Sequence, residues 1–259
     1  MPETHPWHAL LDDLAGYARY HAEIGDRALP GTPALLAALT APAGAKPPQA
    51  PQPSAISLQP SAIPQPDPSE KIAALHAAIR SCARCPLSKT RKNAVPGEGN
   101  AKSPDILFID ESPAPEDDAT GVAAAPGAHQ DLLRKMIKAM GYEPGQVFIT
   151  TLCKCLAPDN ARPPAESLDA CRPYIEAQIN LLKPKVIVLL GAGATMGLLK
   201  KTAGSVAASS RGAWTRHNAI PTMPTYAPAH INKFPAVKPN VWNDLKIVMK
   251  FLGKSPPAR

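Results

Sequence analysis

Val186-Ile-Val-Leu-Leu190, followed by Gly191, is an unbroken apolar run that turns at a glycine into a helix-forming segment near Ala194–Leu199. A run of this length, rich in β-branched and aliphatic side chains, reads as a strand buried on both faces. The same alternation recurs on either side of this run. Upstream, Ile106–Ile109 reads as a strand and Asp131–Met140 as a helix, then Val147–Thr151 as a strand and Leu168–Leu182 as a helix. Downstream, Pro221–Tyr226 is a fourth strand and Val241–Leu252 a closing helix, while Ser69 and Glu70 start a helix that runs through Ile72, Leu75 and Ile79. Strands alternating with helices predict an α/β domain: a three-layer αβα sandwich around a mostly parallel four-stranded sheet covered on both faces. Ligands of such sheets bind beyond the carboxyl ends of the strands, so the chemistry belongs to the loops beginning at Asp110, Leu152, Gly191 and Ala227.

Composition divides the 259 residues into three parts. Trp7, Leu10, Leu11, Leu14 and Tyr17 recur at helical spacing, so residues 1–40 read as a helical leader, either a docking element for a protein partner or a decoration that packs on the main domain. Residues 41–70 hold nine prolines among Ala, Gln and Ser, with Gln-Pro-Ser-Ala-Ile repeated from Gln52 and Gln59, and read as a semi-extended linker. Residues 71–259 form the folded domain. The net charge of +7 hides a split: residues 1–70 carry three Lys/Arg against seven Asp/Glu, and the remainder is strongly positive. A basic domain of this size favours a polyanionic partner through phosphate contacts. The start lacks a basic region followed by an apolar run, and no apolar stretch reaches the ~18–20 residues a membrane span needs. A reducing cytoplasm suits the five cysteines better than a disulfide framework does.

Four of those cysteines carry metal-like spacing. Cys82-Ala-Arg-Cys85 follows a helix, and Cys153-Lys-Cys155 and Cys171 lie far along the chain. Two thiolates separated by two residues can grip one centre, because the turn between them points both sulfurs inward. Spacing alone leaves a zinc site and an iron–sulfur cluster both open. A thioredoxin-like pair normally opens a helix after a strand, which is not the pattern here. Cys153 sits within an apolar strand run and reads as a core thiol, leaving Cys155 as the ligand.

Several segments in order resemble the iron–sulfur (family 4) uracil-DNA glycosylases: Cys82-Ala-Arg-Cys85-Pro-Leu-Ser-Lys-Thr-Arg91, Val95-Pro-Gly-Glu-Gly99, Ile106-Leu-Phe-Ile-Asp-Glu-Ser-Pro113, Val147-Phe-Ile-Thr-Thr-Leu-Cys-Lys-Cys155 with Asn160, Pro163 and Glu166, Cys171-Arg-Pro173, Pro184–Gly191 and Arg211-Gly-Ala-Trp214. The resemblance runs from about Ile79 to the C-terminus. It implies the uracil-DNA glycosylase-like fold, a [4Fe–4S] cluster on Cys82, Cys85, Cys155 and Cys171, and single-stranded or duplex DNA as partner.

The same resemblance exposes a changed pocket. Where the family's first loop reads Gly-Glu-Ala-Pro-Gly, this chain has Asp110-Glu111-Ser112-Pro113-Ala114. Glu111 survives, to orient a water or stabilise a sugar cation, with Asp110 as its companion. Ala124 falls near the family's stacking Phe, and Thr151 stands where an Asn reads the uracil edge. A hydroxyl cannot present the paired donor and acceptor of an amide. The family's His-Pro becomes Ala227-Pro228, with His230 three residues on. These substitutions predict a base-excising DNA repair hydrolase, weak or altered on uracil. The alternative is a catalytically inactive iron–sulfur module that binds DNA; a third reading makes the leader a recruitment device. Arg211, Arg216 and Lys233 are the expected DNA contacts, in a cytoplasmic, monomeric protein.

Overall fold

The computed structural model describes residues 67–200 and 211–255. The leader helix and nearly all of the Pro-rich linker expected from sequence lie outside these residues.

The described chain begins with a helix, α1 (Pro68–Arg80), entered through Asp67, whose carboxylate accepts from the Ser69 amide at 2.9 Å. Pro68 takes the first helical position, where its missing N–H costs nothing. Next come β1 (Glu98–Gly99), β2 (Ile106–Asp110), and the helices α2 (Pro115–Thr120) and α3 (Ala128–Ala139). β3 (Phe148–Thr151), α4 (Ala165–Leu182), β4 (Val186–Leu190) and α5 (Gly191–Leu199) follow. The hairpin of β5 (Thr215–His217) and β6 (Ile220–Thr225) precedes α6 (Pro228–Lys233) and α7 (Lys238–Phe251).

The sheet has six strands, in the order β1-β3-β2-β4-β6-β5, rather than the four expected. The four expected strands form its parallel centre, with Leu107 opposite Phe148 and Ile187, and Val188 opposite Met223. The two further strands are short antiparallel edges. β1 has two residues, both exposed, so no alternation could announce it. It forms because Gly99, at φ +127°, brings its backbone against the Val147 carbonyl, where a Cβ would collide.

Successive residues of the central strands feed opposite faces. Ile106, Phe108, Val186, Val188 and Met223 pack with Leu133, Ile137, Leu245 and Val248 of α3 and α7. Leu107, Ile109, Ile187 and Leu189 pack with Ile72, Ile175, Ile179 and Leu198 of α1, α4 and α5. A third, smaller cluster gathers Ile79, Leu87 and Ala94 around Cys153, Cys155 and Cys171. No helix among the described residues is long and apolar enough to cross a membrane.

Candidate functional site

The carboxyl ends of β2, β4 and β6 open onto a cleft of about 540 Å³. Asp110 and Glu111 arrive at its floor because β2 ends there, and Gly191 and Gly193 enter from the start of α5. Ala227, His230 and Lys233 come from the start and body of α6. A second lobe of about 210 Å³ shares Asp110, Glu111 and Ala227 and adds Ser112, Pro113, Gln130 and Asn160. Cleft and lobe therefore meet over the two carboxylates.

Glu111 is held from two sides. Its Oε1 accepts from Arg162 Nε at 2.6 Å, and its carboxylate lies where a side chain on Gly193 would stand. Asp110 accepts from the Glu111 amide at 2.7 Å. Loss of hydration pushes its carboxyl up from an ordinary 3.8 to about 7; the Glu111 amide opposes this, and the Glu111 and Asp117 carboxylates add to it. Near neutral pH, Asp110 can thus both take and release a proton.

Opposite, Arg211 Nη1 reaches both oxygens of the buried Asp244, at 2.7 and 2.8 Å, and Asp244 also accepts from Thr225 Oγ1 at 2.7 Å. The guanidinium then lies over the Tyr226 ring, which stacks on His230 at 4.7 Å. His230 is exposed at the cleft wall, and Lys233 lies over Phe234. Arg216 stands apart on the β5–β6 hairpin, donating to Ala219 O.

Two expected pocket residues line neither lobe. Ala124 is buried in the core facing α3, where its carbonyl accepts from Arg134. Thr151 ends β3 with its hydroxyl turned onto the Cys153 carbonyl at 2.6 Å.

The cysteines lie on the other side of β3's end. Cys82 and Cys85 follow α1, Cys155 follows β3, and Cys171 projects from α4. Cys85, Cys155 and Cys171 belong to one packed cluster, with Tyr174 beside it and hydrogen-bonded to Cys82. Arg91 Nη1 donates to Cys155 Sγ at 2.9 Å, and the Lys154 amide lies 3.5 Å from Cys171 Sγ. Cys153, fully buried, shares a hydrogen bond with Cys171. Among the described residues no three His, Cys, Asp or Glu side chains converge closely enough to hold a single metal ion. A four-iron cluster asks for something else: sulfurs set around a larger body, each with its own iron, and N–H groups directed at them. Four thiols brought to one region, with Arg91 and the Lys154 amide as donors, have that chemistry.

Beside the cysteines lies Lys154, which is 1% exposed. Its Nζ donates to Thr150 Oγ1 at 2.7 Å, Thr151 O at 2.5 Å and Gln178 Oε1 at 2.7 Å. Burial lowers its pKa to about 7, against the opposing pull of the neighbouring cysteines.

Residues 96–246, more than half of the chain, match the model of the uracil DNA glycosylase superfamily. The chain belongs to that superfamily. Within it, the chain is similar to the type-4 uracil-DNA glycosylase of Pyrobaculum aerophilum, at 37% identity over 177 residues, covering 66% of this chain and 89% of that protein. It is also similar to the type-4 enzymes of Saccharolobus solfataricus, at 36% identity over 69% of this chain and 85% of that protein, and of Archaeoglobus fulgidus, at 31% over 70% and 92%. The resemblance to family 4 drawn from the motifs is thus borne out.

For this superfamily member, sequence reasoning missed Arg162, Gln130 and Lys154. Arg162 reaches Glu111 across 51 positions, and Lys154 reaches Gln178 across 24. No spacing rule connects such pairs. Gln130 donates to Asp117 at 2.8 Å while its buried Oε1 has no partner among the described residues.

Proposed function

We propose that this member of the superfamily is a DNA glycosylase that extrudes a nucleotide, seats its base in the cleft and hydrolyses the N-glycosidic bond, with weak or altered action on uracil. The observation that carries the reading is the placement of Asp110 and Glu111 side by side on the floor of a cleft at the strands' carboxyl ends. Water attacks the sugar carbon as the bond to the base breaks. Asp110 takes the proton of that water, Glu111 faces the positive charge developing on the sugar, and the base leaves with the bonding electrons and is then protonated. Asp110 suits this role because its carboxyl is poised near neutral pH.

Specificity is where the chain departs from its relatives. Thr151 offers no amide, Ala124 no ring and Ala227 no imidazole, so neither the base edge nor the departing anion meets the groups that family 4 supplies. Arg211, Arg216 and Lys233 supply phosphate contacts along the DNA strand. Cys82, Cys85, Cys155 and Cys171 hold a [4Fe–4S] cluster, which ties the end of α1, the end of β3 and α4 together. The five cysteines, free of disulfides in the structure, fit a cytoplasmic protein, and we read it as a monomer.

The test is single-turnover incubation of cluster-loaded protein with single-stranded and duplex oligonucleotides containing uracil, hypoxanthine or xanthine, read as strand cleavage at abasic sites. Excision of at least one base supports the reading. Tight, salt-dependent DNA binding with no abasic product on any substrate at large enzyme excess replaces it with the cluster-stabilised binding module.

A further inference from the structure

Residues 80–97 contain five Lys/Arg and no Asp or Glu, a dense run of positive charge. One member of the run, Arg91, is spent inward on Cys155 Sγ and on the carbonyls of Cys82 and Arg80. Arg80 and Lys92 face outward instead. They share with Ser88 and Asn93 a polar hollow of about 470 Å³ that is closed on its far side by Thr120, Gly121 and Val122. Among the described residues neither side chain has a hydrogen-bond or ion-pair partner. The nearby acids do not neutralise them. Asp118, 5% exposed, is turned inward onto the amides of Lys92 and Asn93. Asp117, 1% exposed, is taken up by the amides of Ala114 and Ala125 and by Gln130.

The position of the hollow gives it a purpose. α2 starts at the Ser112–Pro115 wall of the catalytic cleft and ends at the Thr120–Val122 wall of the hollow. Its six residues span about 9 Å at 1.5 Å per residue. That is a distance of one to a few nucleotides along a strand. We propose that the Arg80–Lys92 hollow binds backbone phosphates of the DNA strand whose extruded base occupies the cleft. It is a second contact site, distinct from the one at Arg211, Arg216 and Lys233. The inference rests on the DNA reading above and adds to it the path the strand takes across α2, past the cysteine region. Phosphate contacts of this kind fix register without reading sequence.

The test is the salt dependence of binding. The full chain is titrated with a short fluorescent single strand over a range of potassium chloride concentrations, comparing the unaltered protein, Lys92→Gln and the double variant Arg80→Ala/Lys92→Ala. Each lost phosphate contact removes about 0.7 from the slope of log K against log salt on a single strand. The expected slopes are therefore shallower by about 0.7 for Lys92→Gln and about 1.4 for the double variant, with iron content and melting temperature unchanged. Lys71→Ala/Lys183→Ala removes the same charge around the end of α4, and is expected to leave the slope alone. An unchanged slope in the Arg80/Lys92 variants overturns the proposal, as does an equal loss in the Lys71/Lys183 control. Absence of salt-dependent binding by the unaltered chain overturns both this site and the DNA reading beneath it, so the two failures are told apart.

Discussion

Arg162 Nε donates to Glu111 Oε1 across 2.6 Å, so a loop leaving the cysteine region grips a carboxylate on the floor of the cleft. Glu111 is also pressed against Gly193, where any side chain would overlap it. The Glu111 carboxylate is therefore fixed in place from two elements, α5 and the 156–164 loop. Replacing Glu111 by Gln keeps an acceptor for Arg162 and removes the charge. The expected result is a fall in single-turnover excision of roughly 10²–10³, the scale of losing one electrostatic stabiliser, with little change in DNA affinity.

Gly193→Ala probes the same carboxylate without touching it. The added methyl has to displace Glu111 from its seat, and excision is expected to fall in the same direction as in Glu111→Gln. Arg162→Ala leaves Gly193 intact and frees only one side of the carboxylate, so its loss should be the smaller of the two. Rates for the three variants, measured side by side under single-turnover conditions, check the order.

Asp110 makes both activity and stability depend on pH. Its carboxyl is raised in the fold from 3.8 to about 7, so the folded state holds a proton that the unfolded chain has already released between those values. The associated stability is fully present below about pH 4 and is lost as pH rises through 7. Asp110→Asn should accordingly raise the melting temperature by a few degrees at pH 8, on the order of 1–3 kcal/mol, and by less at pH 5. Excision should rise through pH 7 in the unaltered protein, because the carboxylate is the base, and should become low and flat in Asp110→Asn. Thermal melts and rate profiles at matched pH give both readings.

Lys154 leaves a stranded acceptor when it is removed. In Lys154→Met, Thr151 O loses the donor it has inside the core, while Gln178 Oε1 keeps only the 3.2 Å hydrogen bond from Thr150 Oγ1. An unsatisfied buried acceptor costs about 1–3 kcal/mol, so denaturant unfolding should show a destabilisation on that scale, not the near-neutral effect of a surface lysine.

The parallel centre of the sheet was legible because β2 and β4 are unbroken apolar runs, and the position of Asp110 and Glu111 followed from the rule that ligands sit beyond strand ends. The edge strands were not legible. β1 has two residues and depends on Gly99 meeting the Val147 carbonyl, and β5 has three residues, of which Thr215 and Arg216 are polar. The exchanges expected at Thr151 and Ala227 come from motif order alone. Their consequences in space could not be read there: the Thr151 hydroxyl turns toward Cys153, and Ala124 faces the core. Arg162 and Lys154 were invisible because each acts on a residue that only the fold brings near.

The cysteine region gives a prediction that separates neighbours two positions apart. Cys155 receives the Arg91 hydrogen bond, whereas Cys153 bonds to Cys171 and to the Cys155 carbonyl within the core. Cys153→Ser should retain about four iron atoms per chain, and Cys155→Ser should lose them. Iron and acid-labile sulfide analysis of anaerobically purified protein decides between the two thiols.

Release of a free base is the step that Asp110 and Glu111 are proposed to carry out. Cluster-loaded protein and its Asp110→Asn variant, each in excess over an oligonucleotide carrying a single altered base, are compared for free base liberated, measured by mass spectrometry. At least one of uracil, hypoxanthine and xanthine should be set free by the unaltered protein and far more slowly by the variant. Liberation of no base, or liberation at equal rates by both proteins, contradicts the proposed reaction.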